Sequence, residues 1–491
     1  MTASSRSNLM RRRAVLVTSL LVLSACGVQA GQRAATAPPK NDNIIGSNAT
    51  ATSTTQPAAT TAPPATKVDI NGSNGSQVND VIGNAITDLQ QFWTKAYPEA
   101  YGSDYRPLSG GLYAIDSSTD GSTVPCSSGP DITQLLDNAF YCPPSDAVVW
   151  DQEEFMPAIQ KKYGNFTVAV VIAHEWGHAI QDRAGFSAPS VITELQADCF
   201  AGAWAKHVKS GDSDLFTAST DDLDTAISGI LALRDAPGGG ADDAQAHGSG
   251  FDRVGAFQDG FESGVKRCAE FRDGDPAPYE FPFSDQADAD SNGDLQLTGP
   301  TDAPGILELA FPSLKAFWTD EFPKISGGKA WKKLGDPVAF TPDDPPTCDG
   351  DPVKGYPVFV CIPDRFVGYD SQDTIPAIYQ QGGDFAVATL FATYYGLDVA
   401  EQLGSADDDK SAALQGDCFA GAWASALLPP SPPEAYELVL SPGDLDEGVS
   451  VLLSYRSEAE RKTQGPGFDR IRAYRTGVIK GADACTSIQA D

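Results

Sequence analysis

The chain has 491 residues, with 34 basic side chains against 66 acidic ones and a formal net charge of −32. Such a balance excludes nucleic acid and anionic membrane surfaces as partners held by charge, and its ordinary meaning is solubility. The length exceeds one usual hydrophobic core and predicts two domains.

Arg11, Arg12 and Arg13 precede an apolar run from Ala14 to Leu23, which Leu23-Ser24-Ala25-Cys26 closes. A basic stretch, a short apolar core and small residues form a signal peptide over residues 1–26, not a spanning helix. The last four residues resemble the lipobox of bacterial lipoproteins. That resemblance implies that Cys26 becomes acylated and tethers the protein to the extracytoplasmic face of the cell membrane. Plain secretion and a retained anchor are the rival readings, and the three arginines leave a twin-arginine export route open. Residues 27–75 read as a stalk: from Gln32 to Thr66 the chain is Ala, Thr, Pro, Ser and Asn with hardly a large apolar side chain, too little to drive folding.

A helix is predicted around Val78 to Tyr97, then strands at Gly111 to Ile115 and Ala147 to Trp150, then an apolar helix that includes Val168 to Ala173. Strands followed by helices predict an α+β fold with a small sheet packed on the helices. The second helix continues into His174-Glu175-Trp176-Gly177-His178. One helical turn brings His174 and His178 to the same face, where both imidazoles can reach a zinc ion at about 2.0 to 2.1 Å. Glu175 lies beside them, suited to carry a proton from water to a leaving amine. Further on, Thr193-Glu194-Leu195-Gln196-Ala197-Asp198 sets Glu194 and Asp198 on one helical face. Glu194 is the expected third ligand, and the fourth position then stays open for water, as a catalytic zinc requires.

This E-x-x-x-D after H-E-x-x-H resembles the gluzincin metallopeptidases. The string from Glu194 to Gly202, with His247-Gly248-Ser249 and Arg253 downstream, is similar to the bacterial neutral zinc metallopeptidase family. The resemblance covers about residues 76–283. It implies a zincin-like fold, one Zn²⁺, peptide or protein substrates, and Asp198 as the partner that orients a ligand histidine. In such folds an edge strand of the sheet lines the cleft and can take up a substrate peptide as a further strand.

The sequence also reads as an internal duplication. Phe92-Trp93-Thr94 recurs as Phe317-Trp318-Thr319, Cys199 to Ala205 recurs as Cys418 to Ala424, and Gly250-Phe251-Asp252-Arg253 recurs as Gly467-Phe468-Asp469-Arg470. The offsets drift only from 225 to 217, so one fold is expected twice. The expected divisions are 76–283 for the first copy, 284–303 for an acidic linker and 304–491 for a degenerate second copy. In that second copy His174 falls on Thr393, Glu175 on Tyr394, His178 on Leu397, Glu194 on Ala413 and His247 on Gln464. Every proposed metal ligand is lost there, so one zinc per chain is expected. His247 changes together with the ligands, which makes it a candidate donor to the oxyanion of a tetrahedral intermediate. Asp198 persists as Asp417 and Arg253 as Arg470, which suggests a structural bond between them as well. His207 has no partner motif and reads as a satisfied or solvated histidine.

Setting Cys26 aside, the remaining eight cysteines fall four to each half. Matched cysteines in an exported chain predict disulfides, with three pairings open in each half. The expected pairs are Cys126 with Cys142, closing a loop within a β-hairpin, and Cys199 with Cys268, and likewise Cys348 with Cys361 and Cys418 with Cys485. Closing the longer loop contributes about 4 kcal/mol in the chain-entropy model. Asp288, Asp290 and Asn292 resemble the start of an EF-hand loop and make a weak Ca²⁺ site possible there, but the twelfth position is Gly299 rather than a bidentate Glu. The leading expectation is a membrane-tethered, extracytoplasmic zinc endopeptidase whose two copies pack together. The rival is a zinc-binding envelope lipoprotein without hydrolytic activity that holds a protein partner.

Overall fold

In the computed structural model the described residues are 44–47, 68–239, 246–279, 281–429, 432–455 and 464–490. The signal segment, Cys26 and most of the stalk lie outside them. Helix α1 (Gln77–Tyr101) buries Val78, Val81, Ile82, Ala85, Ile86, Leu89 and Trp93, a three-and-four spacing that lines one face. It stops at Gly102, whose φ of 69° and N–H bond to the Pro98 carbonyl close the last turn. Strands β2 (Gly111–Ile115), β3 (Ala139–Cys142) and β4 (Ala147–Asp151) follow in the order β2-β4-β3, with β2 parallel and β3 antiparallel to β4. Thus β3 is an edge strand. All five residues of β4 are buried because the sheet is covered on both faces at its centre.

Helix α2 (Phe155–Ala184) breaks at Gly164, where φ is 87° and only glycine fits without strain. Beyond the break it is buried from Phe166 to Gly177 without interruption. Helices α3 (Ser190–Lys209), α4 (Thr220–Ala232) and α5 (Gly250–Ala269) complete this part. The crossing of α3 and α5 is held close by two glycines. A Cβ on Gly202 would fall 1.9 Å from the Phe257 carbonyl oxygen, and one on Gly260 1.8 Å from that of Cys199.

After a short helix α6 (Gln286–Asp290), α7 (Ile306–Ile325) leads to β5 (Val338–Phe340), the two-residue strands β6 (Thr347–Cys348) and β7 (Asp351–Pro352), β8 (Val358–Cys361) and β9 (Phe366–Asp370). Helices α8 (Thr374–Gly382), α9 (Asp384–Leu403), α10 (Asp409–Ala426), α11 (Asp444–Ser454), α12 (Gly467–Lys480) and the short α13 (Ala482–Cys485) follow. Here β5 is parallel and β8 antiparallel to β9, Gly383 has φ 88° at the junction of α8 and α9, and Gly421 and Gly477 press on α12 and α10. Trp93 stands edge-on to Phe200 at 5.1 Å, and Trp318 to Phe419 at 5.3 Å. The repeated aromatic motifs are therefore core. The described residues all fall within one compact unit. The Asp446 carboxylate of α11 accepts from Gly250 N and Phe251 N at the start of α5, while Asp224 of α4 accepts from Gly467 N and Phe468 N at the start of α12. Each part thus supplies the anion that satisfies a helix N-terminus in the other.

Two expectations are altered. Inside the span read as stalk, Ile44–Ser47 forms β1 and pairs antiparallel with β8, a ladder that the paired isoleucines of Ile-Ile-Gly-Ser favour. The disulfide Cys126–Cys142 forms, but Cys126 sits in a loop at φ 62°, so the bond pins that loop to β3 and does not span a hairpin; the hairpin is β3–β4. Cys199–Cys268, Cys348–Cys361 and Cys418–Cys485 are also joined. Among the described residues, no helix is long and apolar enough to cross a membrane. The α3–α5 crossing yields a prediction. Gly202→Ala must force the helices apart and should lower the unfolding free energy by about 1–3 kcal/mol, measured by chemical denaturation. An unchanged denaturation midpoint would show that the crossing is not tightly packed.

Candidate metal centre

The second half of α2 and the start of α3 run side by side, with Gly177 of the first against Ala197 of the second. Their facing turns bring His174, His178 and Glu194 together, each offering a ligand atom within 4.8 Å of the others. His174 Nε2 faces Glu194 Oε2 at 3.1 Å, and His178 Nε2 faces Glu194 Oε1 at 3.4 Å. The other ring nitrogens are fixed from behind. His174 Nδ1–H donates to Asp198 Oδ1 at 2.7 Å, and His178 Nδ1–H to Gln181 Oε1 at 2.8 Å. Both rings are thereby held in the tautomer that presents Nε2, the arrangement that zinc-binding histidines require. Two imidazoles and a carboxylate at the wall of a cavity of about 660 Å³ fit a zinc ion with a position left open.

Asp198 is itself anchored. Arg253 of α5 gives it two bonds, Nε to Oδ2 at 2.8 Å and Nη2 to Oδ1 at 3.0 Å, and both side chains are buried. The same fork recurs between Arg470 and Asp417, at 2.7 and 2.9 Å, where Thr393 Oγ1 donates to Asp417 Oδ1 in the position of an imidazole. Asp198 thus has both bonds suggested for it, one to a histidine and one to the arginine.

Glu175 lines the same cavity, and the Tyr141 N–H of edge strand β3 donates to its Oε2 at 3.0 Å. Burial raises the Glu175 carboxyl above its usual range, against the pull of His174 and His178. For His174, burial works downward, but the Asp198 carboxylate and then Glu194 outweigh it and lift the imidazole to about 10. His178 is also raised, since its bond to Glu194 overcomes burial. Glu194 and Asp198 are both held below the usual carboxylate range: burial acts upward, and is overcome by the two histidines at Glu194 and by Arg253 and His174 at Asp198. Each of these carboxylates is therefore anionic at neutral pH.

His247 lines the cavity but stands outside the ligand group, with its side chain 55% exposed. Asp235 holds it: Oδ2 accepts from the main-chain N–H, and Oδ1 faces Nδ1 at 3.1 Å. Sequence reasoning missed Asp235 and Gln181. The spacing of Gln181, three residues after His178, was a usable signal, whereas nothing in the Arg234-Asp235 loop announces its role. His207 packs on Phe92 with Nε2 3.7 Å from Asp88, away from the cavity, as a satisfied histidine.

The calcium expectation needs correction. Asp288 Oδ2 accepts from Ser284 N and Oγ, Asp290 Oδ1 accepts from Gln286, and residues 286–290 are wound into α6; among the described residues neither Asp288 nor Asp290 belongs to a converging group of three possible ligands. Local hydrogen bonds, from the Ser284 main chain and hydroxyl and from the Gln286 amide, take the carboxylates that an EF-hand loop would aim inward.

Residues 42–271 match a family model described as "Putative neutral zinc metallopeptidase". The uncharacterized protein YpfJ of Escherichia coli K12 is 31% identical over 156 residues, 27% of this chain and 53% of that protein. The uncharacterized proteins Mb2605 of Mycobacterium bovis and Rv2575 of Mycobacterium tuberculosis are each 29% identical over 151 residues, 26% of this chain and 52% of theirs. The chain therefore spans about half the length of these curated relatives. No solved structure matches.

The two Asp–Arg forks make a controlled comparison. Asp198→Asn and Asp417→Asn should each destabilise the fold by about 3–5 kcal/mol, since each removes the charge facing a buried guanidinium. Only Asp198→Asn should also weaken zinc binding, by about 10–100-fold, in a chelator competition assay. Equal zinc loss in both variants would refute the orienting role.

Proposed function

We propose that this chain is a zinc-dependent endopeptidase, tethered through Cys26 to the extracytoplasmic face of the cell membrane, with one catalytic copy and one degenerate copy of the same fold. The observation that carries the reading is the convergence of His174, His178 and Glu194 on a cavity that Glu175 also lines. The support for export is the basic and apolar start of the sequence, its Leu-Ser-Ala-Cys end and the disulfides. In this reading His174, His178 and Glu194 hold the zinc. When bound, zinc supplies Lewis acidity and lowers the pKa of water to about 7.

The chain's own groups do the rest. Glu175, whose carboxyl burial raises above its usual range, takes the proton of the attacking water and returns it to the leaving amine. His247, which lines the cavity and is steadied by Asp235 at Nδ1, donates to the oxyanion from its Nε2 as the imidazolium, the form with a proton on each ring nitrogen. The outer edge of β3, which no strand covers among the described residues, takes the substrate backbone as an added strand. Favouring this last step, β8, the counterpart of β3 in strand order, is already paired antiparallel with β1, which lies where a substrate strand would lie on β3. The second part keeps the Asp417–Arg470 fork and the aromatic core but has Thr393, Tyr394, Leu397 and Ala413 where the ligands and base would be. It serves as a packing or substrate-holding domain.

Three outcomes test the reading. Elemental analysis of the purified chain should give about one zinc, lost in His174→Ala with His178→Ala; two equivalents, or zinc that survives the double change, would sink it. Glu175→Gln should keep zinc and fold but cleave no peptide from a library that the wild type digests. A non-hydrolytic zinc protein would instead show no cleavage in either form. His247→Ala should keep its zinc and lose about 10²-fold in kcat with little change in KM. Loss of zinc from that variant would make His247 a ligand.

A further inference from the structure

We propose that Asp294, Asp384 and Glu447 bind a calcium ion, at a site apart from the His174 group and independent of the peptidase reading. Asp294 comes from the turn after α6, Asp384 opens α9 and Glu447 lies in the first turn of α11, yet each offers a carboxylate oxygen within 4.8 Å of the other two. Three carboxylates brought that close inside a protein cannot all be ionised unless a cation lies between them; without one they retain protons. Among the described residues, neither lysine nor arginine forms an ion pair with any of the three.

The geometry separates fastening atoms from those left for a ligand. Leu295 N–H donates to Asp384 Oδ2 at 3.0 Å, and Phe385 N–H donates to Glu447 Oε2 at 2.8 Å, so each carboxylate is fixed by one oxygen. Asp384 is 3% exposed, and its Oδ1 is buried with no hydrogen-bond partner; Oδ1 of Asp294 is in the same condition. Buried acceptors are rarely left unmatched, and two at one point indicate a missing partner. Gly383, at φ 88°, makes room for the group: a Cβ there would fall 2.1 Å from Glu447 Oε1.

An internal control shows that the fold does not need these carboxylates. Gly164 has the same conformation as Gly383, but Asn165 follows it in place of Asp384. Asp224 caps α12 as Asp446 caps α5, but Thr225 follows it in place of Glu447. The first part therefore builds the same junction with neutral side chains. An all-carboxylate donor set drawn from three separate segments suits a hard ion that accepts 6–8 oxygens at about 2.3–2.6 Å in irregular geometry, with main-chain carbonyls and water completing the shell. That description fits Ca²⁺ and not zinc, for which nitrogen or sulfur donors would be expected. Since Glu447 adjoins Asp446, the ion would brace the helix end that caps α5 across the junction.

Calcium titration of the zinc-saturated full chain by calorimetry is the test. One equivalent should bind with a dissociation constant of about 1 mM or tighter. It should bind unchanged in His174→Ala with His178→Ala, and at least about tenfold more weakly in Asp384→Asn with Glu447→Gln. If that pair fails to fold, Asp294→Asn, which removes a less buried carboxylate, should show the same weakening. Absence of calcium binding in the wild type, binding that follows the histidines, magnesium binding as tight as calcium, or calcium binding indifferent to all three carboxylates would each overturn the proposal. Failure of the peptidase reading would appear in the zinc and cleavage assays and leave this result untouched.

Discussion

The buried carboxylate of Asp198 is the point on which the site depends. It takes two bonds from Arg253 on α5 and one from His174 on α2, while its own chain position is on α3. Three helices are thus referred to one anion. An anion buried this deeply is tolerable only while its oxygens are occupied by cationic or N–H donors, so the contact sets both helix spacing and imidazole orientation. The disulfide Cys199–Cys268 and the glycine crossing of α3 with α5 hold the same helices on either side of it.

The second part isolates what that interaction does without the metal residues. Asp417 and Arg470 keep the fork, Gly421 and Gly477 keep the crossing, and Cys418–Cys485 keeps the staple. Thr393 satisfies the remaining carboxylate oxygen in place of a ring nitrogen. The scaffold therefore survives the exchange of a histidine for a hydroxyl, because the demand on that position is only for a donor. What the second part lacks is the second nitrogen of an imidazole and side chains like His178 and Glu194, in whose aligned places stand Leu397 and Ala413.

The junction between the parts works by the same chemistry of buried anions. Asp224 and Asp446 each enter the start of a helix belonging to the other part, where main-chain N–H groups would otherwise lack acceptors. Beside one of these caps lies the Asp294–Asp384–Glu447 group, whose charge is not matched in this way. The high acidic content of the chain is thus partly structural, and is not confined to a solvated surface.

By itself the sequence determined the residues that could do chemistry. His174, Glu175 and His178 were legible because helical spacing is local, and Glu194 because it recurs one helix later on a shared face. The repeat made Asp198 and Arg253 readable as a pair, and the matched cysteines made disulfides readable but left three pairings open in each half, which the structure decided. Apolar patterning placed α1, β2, β4 and α2 in order, but it did not place the edge strand β3. What only the tertiary structure decided are contacts between distant segments whose partners carry no local signature: Asp235 against His247, Tyr141 N–H on Glu175, the strand Ile44–Ser47 laid on β8, and the crossed helix caps. The acidic loop at Asp288 shows the limit from the other side. Its composition matched an ion-binding turn, but hydrogen bonds within the loop took Asp288 and Asp290, and the carboxylates that do converge, on Asp384 and Glu447, stand 90 and more residues further along the chain. Spacing along a helix is fixed by backbone geometry and can be read directly, whereas convergence across a fold depends on packing that no short stretch of sequence encodes.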